Sequence, residues 1–180
     1  KGENFHFQEI LHNQLRAAGI VKMPEIDISF AATSIDIQLP EKYCLICAGG
    51  NKENIANKYN PENYIEVIKY LRSEYGITSL LIGSTRSDFN IANFIMQEVG
   101  GQCALNLVGK TKITDIIGLA KNAVFTLGNE TAPTHISAFS SGCKTMMFCS
   151  RFSPPEFIAP RTKNLAVIEE PYLENIAVER

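Results

Sequence analysis

The chain has 180 residues, 45% of them hydrophobic, and a formal net charge of −2, which suits one globular domain with an additional segment. A charge this close to zero gives the chain no electrostatic reason to bind nucleic acid or an anionic membrane surface. No apolar run is long enough for a membrane-spanning helix, and the first residues lack both a signal core and an initiator Met. We therefore expect an excised piece of a larger protein.

The predicted elements begin with a helix over residues 5–18, where apolar residues recur at helical spacing, and continue with a connector over 20–40 that contains a short strand. Apolar runs then alternate with helical patterns. The predicted strands are Tyr43–Cys47, Ser79–Ile82, Ala104–Leu107, Ala123–Leu127, Lys144–Phe148 and Asn164–Ile168. The predicted helices are Pro61–Tyr75, Asp88–Val99, Ile113–Lys121, Thr134–Ser141 and Tyr172–Glu179. This alternation predicts an α/β fold with a doubly wound parallel sheet.

The five cysteines are odd in number and lie mostly in apolar surroundings, which favours free thiols in a reducing, cytoplasmic location. Cys44 and Cys47 have a metal-like spacing within a predicted strand. Because residues i and i+3 of a strand point to opposite faces, we expect their sulfur atoms to diverge into the core. His6, His12 and His135 are too scattered for a metal site, and we expect the first two at the surface.

Ligands of doubly wound sheets bind beyond the carboxyl ends of the strands. Small or polar residues follow several predicted strands, in the segments Ala48–Asn51, Gly83–Thr85, Gly109–Thr111, Gly128–His135 and Ser150–Pro154. Gly109–Thr111 resembles the end of a phosphate-binding P-loop, but Ala104 stands where that pattern needs glycine. The chain also lacks the G-x-G-x-x-G pattern after its first strand, an Asp-x-Asp pair and the G-x-S-x-G turn of a hydrolase.

The segment Gly128–His135 is the most informative, because a predicted strand stops at Gly128 and a helix begins a few residues later. Thr131 is placed to cap that helix, and Pro133 suits its first turn. The free N–H groups of a first helical turn attract anions, and a small residue such as Ala132 lets a phosphate approach. A plain capped helix leaves three polar residues of this segment unexplained: Asn129, Glu130 and His135.

Lys58 precedes the predicted helix at Pro61, where a cation would neutralise a diphosphate. The alternative interpretation of Lys58 alone is an ordinary solvated surface lysine.

The run Gly128-Asn-Glu-Thr-Ala-Pro-Thr-His resembles the signature of glycosyltransferase family 9, the ADP-heptose:lipopolysaccharide heptosyltransferases, which usually reads Gly-Asn/Val-Asp/Glu-Ser/Thr-Gly-Pro-x-His. The segments Lys58–Tyr64 and Val108–Asp115 are similar to two further family motifs in the same order, so that the resemblance covers residues 40–180. Ala132 stands where glycine is usual, and Glu130 is the longer of the two acids that the family uses.

The resemblance implies the Rossmann-like C-terminal lobe of a GT-B enzyme, in which residues 41–180 bind the nucleotide-sugar and residues 1–40 end the N-terminal lobe. It implies a nucleotide-sugar donor, ADP-heptose, with no other cofactor and no metal. As partner it implies a lipopolysaccharide core acceptor, which a missing N-terminal lobe would hold together with the general base. Contact with the inner membrane would come only through that acceptor. We expect inverting transfer, and no transfer by this chain alone.

Within this interpretation, Lys58 and the N–H groups around Thr131 and Ala132 stabilise the charge on the leaving diphosphate. The resemblance places Glu130 near the sugar, whereas His135 supports the loop or donates toward phosphate. The predicted catalytic residues are Lys58 and Glu130. The predicted substrate-binding residues are Gly49, Asp88, Thr111, Asn129, Thr131, Ala132 and His135. Of these, Asp88 would reach the ribose, and Thr111 would flank the base with Ile113.

Other interpretations stay open at this stage. A UDP-sugar 2-epimerase would share the lobe and the diphosphate site but would need no acceptor. A non-catalytic nucleotide-binding module should bind bare ADP as well as a nucleotide-sugar. A plain Rossmann-like domain would have no nucleotide site.

Overall fold

The computed structural model describes residues 5–50 and 58–178. Within these ranges the chain forms one sheet of parallel strands in the order β3-β2-β1-β4-β5-β6. The strands are β1 (Tyr43–Cys47), β2 (Thr78–Leu81), β3 (Ala104–Asn106), β4 (Thr126–Asn129), β5 (Thr145–Cys149) and β6 (Leu165–Glu169). The predicted doubly wound parallel sheet is confirmed. Its strand order reverses between β1 and β4, which is where such sheets bind ligands.

The helices follow the sequence signals that begin and end them. They are α1 (Phe7–Ala17), α2 (Pro61–Tyr75), α3 (Arg86–Val99), α4 (Ile113–Asn122), α5 (Ala132–Ala138) and α6 (Pro155–Ile158). Helix α2 starts with proline in its first turn and ends at Gly76, whose φ of 64° suits a residue without a side chain. Helix α3 starts with a capping box between Thr85 and Asp88.

Both faces of β1 are buried, because α2 and α3 cover one side of the sheet and α4 covers the other. Cys44 packs in the core cluster beneath α2 and α3, and Cys47 packs in the opposite cluster. Burial raises the pKa of the Cys44 thiol to about 11 and that of Cys47 to about 12. The prediction that these sulfur atoms diverge into the core is therefore confirmed, and the five cysteines, all within the described ranges, are free thiols.

The connector over residues 20–40 forms no strand, so that prediction is wrong. It contains a short 3-10 turn, Ser29–Ala31, and lies against the helices rather than joining the sheet. The Ile28 N–H donates to the Phe139 carbonyl, and the Thr33 hydroxyl donates to the Asp115 carboxylate at 2.6 Å. The connector packs tightly on α4, because a side chain at Gly118 would collide with the Thr33 carbonyl.

His6 is buried, contrary to the surface position predicted for it. Its Nδ1 accepts a hydrogen bond from the Gln8 N–H at the start of α1, and its Nε2 lies 2.8 Å from the Ala159 carbonyl oxygen. The imidazole therefore joins α1 to the chain just after α6. The sequence pattern gave no sign of this contact, because α6 is a single turn and was not predicted.

Most element boundaries differ from the predictions by one or two residues, and three differences are larger. Strand β4 begins at Thr126 rather than at Ala123, because Ala123 still ends α4. Helix α5 begins and ends earlier than predicted. The predicted final helix is a 3-10 turn, Leu173–Asn175, within the described residues. None of the described helices is long and apolar enough to cross a membrane.

Candidate functional site

A cleft of about 440 Å³ opens where the sheet order reverses. Its walls come from the segments that follow β1, β2 and β4: Gly49, Gly50, Ile82, Gly83, Ser84, Thr85, Asp88, Glu130, Thr131, Ala132 and Pro133. A wider groove of about 700 Å³ lies at the amino ends of the strands, beside Pro40 and Thr78. We take the cleft as the site, because ligands of doubly wound sheets bind at the carboxyl ends.

The Lys58 side chain lies beside Gly50, which is also close to the turn after β4. A Cβ atom placed on Gly50 would lie 3.6 Å from Lys58 Cε and 3.8 Å from Thr131 Cγ2. The amine donates a hydrogen bond to Ser87 Oγ at 3.3 Å. Among the described residues, no carboxylate lies within ion-pairing distance of this amine. Within the described part of the chain, Lys58 therefore brings a positive charge without an ion-pair partner to the edge of the cleft beside Gly50.

The turn from β4 into α5 has a different capping arrangement from the one predicted. Thr131 occupies the N-cap position but forms no capping hydrogen bond; its hydroxyl lies 3.1 Å from that of Thr134. The Thr134 hydroxyl in turn donates to the Asn129 carbonyl at 2.8 Å. The first N–H groups of a helix lack intrahelical acceptors, but α5 has only seven residues and thus a small dipole. The positive charge of Lys58 therefore adds to a weak contribution from α5.

Glu130 and His135, both predicted site residues, form a pair in the turn. His135 Nε2 lies 2.9 Å from Glu130 Oε1, and the Ser153 hydroxyl donates to Glu130 Oε2 at 3.3 Å. The hydrogen bond from His135 is the main cause that holds the pKa of Glu130 below its usual value, against the opposing effect of burial. Glu130 is thus an oriented carboxylate on the cleft wall, and His135 supports it.

Asn129 is fully buried, and both the oxygen and the nitrogen of its side-chain amide form hydrogen bonds within the protein. Its Oδ1 accepts from the Tyr59 N–H at 3.0 Å and from the Tyr64 hydroxyl at 3.1 Å. Its Nδ2 donates to the carbonyls of Ala48 and Gly49, both at 2.9 Å. This placement favours a positioning role over the direct substrate contact that we predicted, because no hydrogen-bonding group of the amide is left for a ligand.

Asp88, predicted as the first residue of its helix, is the third residue of α3, which begins at Arg86. Its Oδ2 accepts from the N–H groups of Ser84 and Thr85, both at 2.8 Å. Its Oδ1 is buried beneath Gly49 and has no hydrogen-bond partner among the described residues. A carboxylate in this position holds the β2–α3 loop in place, and the shielded oxygen is not open to a ribose. Gly49 is needed here because a side chain would collide with Asp88.

The remaining predicted contacts are less direct. Ala132 lines the cleft. Thr111 lies on the loop between β3 and α4 and is not among the residues that line the cleft. That loop reaches the segment after β2 through the Gly109 N–H, which donates to the Gly83 carbonyl. Ser153 was missed. Its segment was noted as following a strand, but its contact with Glu130 depends on how the loop folds.

The strand order and the cleft at its reversal define a Rossmann-like α/β domain of the GT-B glycosyltransferase type. Comparison with known families agrees with this class. The chain belongs to glycosyltransferase family 9 (heptosyltransferase), whose family model matches residues 11–172. No curated protein matches the sequence.

Solved structures with the same fold include three bacterial proteins. The Escherichia coli ADP-heptose lipopolysaccharide heptosyltransferase II has a TM-score of 0.68 at 21% identity, and the alignment covers 79% of this chain and 44% of that one. The E. coli heptosyltransferase WaaC with ADP has a TM-score of 0.67 at 15% identity, covering 79% and 43%. A family 9 glycosyltransferase from Veillonella parvula DSM 2008 has a TM-score of 0.75 at 13% identity, covering 94% and 50%. The chain thus spans half or less of the length of these structures.

Proposed function

We propose that this domain binds the donor of a heptosyltransferase, a nucleotide-sugar of the ADP-heptose type, in the cleft at the reversal of the strand order. The observation that carries the proposal is that the Lys58 side chain and the Thr131 turn lie close together beside Gly50, while no carboxylate of the described residues is within ion-pairing distance of the amine. A diphosphate at that point would receive charge-assisted hydrogen bonds from the amine and N–H groups from the turn. In support, WaaC, which has the same fold, has been solved with ADP-2-deoxy-2-fluoro heptose.

In this proposal Lys58 acts on the leaving group. Negative charge develops on the diphosphate when the bond to the anomeric carbon breaks, and a positioned cation lowers the free energy of that transition state. Glu130 lies on the wall beside the same turn and accepts hydrogen bonds from the sugar hydroxyls. The proposal assigns the leaving charge to Lys58 instead of a metal and requires no cofactor besides the donor substrate.

We further propose that a second lobe completes the enzyme. It would hold a lipopolysaccharide core acceptor and the base for an inverting displacement, and membrane contact would come only through that acceptor. Support comes from the N-terminal segment, where half-exposed to fully exposed apolar side chains are concentrated: Phe5, Phe7, Ile10, Leu11, Leu15, Ile20, Val21, Ile26 and Phe30. On this view residues 1–40 include the end of that lobe. The free thiols support a cytoplasmic location.

A binding experiment tests the donor proposal. In isothermal titration calorimetry of this chain with ADP-heptose, ADP and a UDP-sugar, ADP-heptose should bind most tightly. Lys58→Ala should weaken ADP and ADP-heptose alike by about 10- to 100-fold, since it removes a charge-assisted hydrogen bond. The matched control is Lys69→Ala, an exposed lysine of α2, which should bind as the wild type does.

The alternatives give different results in the same titrations. Preferential binding of a UDP-sugar would indicate the epimerase-like enzyme, which the family match does not favour. Equal affinity for ADP and ADP-heptose would indicate a nucleotide-binding module. An affinity that Lys58→Ala does not change would contradict the diphosphate site.

A further inference from the structure

We propose that Ser153 is a positioning residue that, together with His135, orients the Glu130 carboxylate toward the hydroxyl groups of the donor sugar. This inference rests on the proposed function, because it requires Glu130 to face a bound sugar. It adds a residue from a different part of the chain, the loop between β5 and α6.

The conformation of this loop is set by its own contacts. The Ser153 N–H donates to the Ser150 carbonyl at 2.9 Å, and the Phe152 N–H donates to Ser150 Oγ at 3.1 Å. The Arg151 guanidinium lies over the rings of Phe152 and Tyr172, at 4.6 and 4.2 Å from their centroids. These contacts fix the shape of the loop and tie it to the C-terminal segment, and in this shape the Ser153 hydroxyl reaches Glu130 in the turn after β4.

The two hydrogen bonds to Glu130 reach different oxygen atoms. His135 Nε2 bonds to Oε1, and the Ser153 hydroxyl donates to Oε2. Together, these two hydrogen bonds restrain rotation of the carboxylate plane. An ionised carboxylate has about four lone-pair sites, so each oxygen keeps capacity for a ligand hydroxyl. The side chain is partly exposed, at 30%, and Glu130 lines the cleft. The two oriented oxygen atoms of Glu130 therefore suit a ligand with several hydroxyl groups, such as a sugar.

This geometry separates recognition of the sugar from recognition of the diphosphate. The Ser153 hydroxyl donates to Glu130, whereas the Lys58 amine donates to Ser87 and the Lys58 side chain lies beside Gly50. Loss of the serine hydroxyl should therefore affect a ligand that carries the sugar and leave bare ADP unaffected.

Isothermal titration of this chain with ADP and with ADP-heptose tests the proposal. Ser153→Ala should weaken ADP-heptose by about fivefold, the effect of one lost hydrogen bond, and leave the affinity for ADP unchanged. Ser153→Thr, which keeps the hydroxyl, should bind as the wild type does. Ser73→Ala, an exposed serine of α2, is the control. In a double-mutant cycle, Ser153→Ala should add nothing to the loss caused by Glu130→Gln.

The outcomes distinguish this inference from the proposed function. If wild-type protein does not prefer ADP-heptose to ADP, the proposed function itself fails. If it does, and Ser153→Ala keeps the full preference, only the role of Ser153 is refuted. Equal weakening of both ligands, or an additional loss in the Glu130→Gln background, would also refute it, because a merely structural serine would act in that way.

Discussion

The two sides of the cleft differ in how their charges are compensated. On the Lys58 side, a cation lies beside Gly50, close to Thr131, with no carboxylate within ion-pairing distance among the described residues. On the Glu130 side, the carboxylate already accepts hydrogen bonds from His135 and Ser153. The first arrangement suits a ligand that brings its own negative charge, whereas the second suits neutral hydroxyl groups, which need an oriented acceptor. The difference matches a diphosphate joined to a sugar.

The largest effect is expected from Asn129→Ala, because this side chain joins the strand that leads to Glu130 to Gly49 and to Tyr59, the residue after Lys58. The change leaves buried partners unsatisfied, so we expect a loss of about 3–4 kcal/mol in the free energy of unfolding and weaker binding of both ADP and ADP-heptose. Urea denaturation measures the loss. Asn122→Ala, which removes an exposed amide of α4, is the control. Equal stability of the two variants would show that the two sides are not joined through Asn129.

A smaller effect is expected from Gly49→Ala, which changes the cleft wall between the Lys58 side and the Glu130 side. The new methyl group would collide with the Asp88 carboxylate and should cost roughly 1–3 kcal/mol of stability. Asp88→Ala alone should cost about 1 kcal/mol, through loss of the capping box. Because the second change removes the collision, the double variant should lose less than the sum of the single losses. Strict additivity in thermal unfolding would mean that the carboxylate does not pack on Gly49.

The smallest effect concerns the ionisation of Glu130. Its pKa is lowered from 4.5 in the folded state, so the ionised carboxylate contributes stability that is present above the unfolded value and lost as pH falls through the folded value. The free energy of unfolding of the wild-type protein should therefore exceed that of Glu130→Gln by about 1 kcal/mol near neutral pH. This difference should shrink as the pH falls. Denaturation at a series of pH values measures this. An advantage that grows below pH 4.5 would contradict the hydrogen-bonded, ionised carboxylate.

Much of the fold was predictable, because its signals are local. The buried runs that form β1 and β5, and the proline and glycine that bound α2, lie within a few residues of the elements they specify. The connector over 20–40 was misassigned for the opposite reason. Its short apolar alternations resemble a strand, but they pack on α4 and α5, and that surface exists only after the chain has folded.

The same distinction holds for the site. Lys58 and Glu130 were placed at the cleft from sequence, since each stands beside a recognisable strand-to-helix turn and matches a family motif. The positioning roles of Asn129 and Asp88 were not visible, because a polar residue at the end of a strand can face either the ligand or the interior. Ser153 was missed, since 23 residues separate it from Glu130 along the chain.

By itself, the sequence determined the alternation of strands and helices, the family, and the edge of the sheet at which polar residues gather. These depend on hydrophobic periodicity and on turn residues, which act over short stretches of chain. Only the tertiary structure decided which of those polar groups face the cleft and which hold it together. That choice is made by burial and by hydrogen bonds between distant segments, because each buried polar atom must find a partner wherever the packed chain provides one.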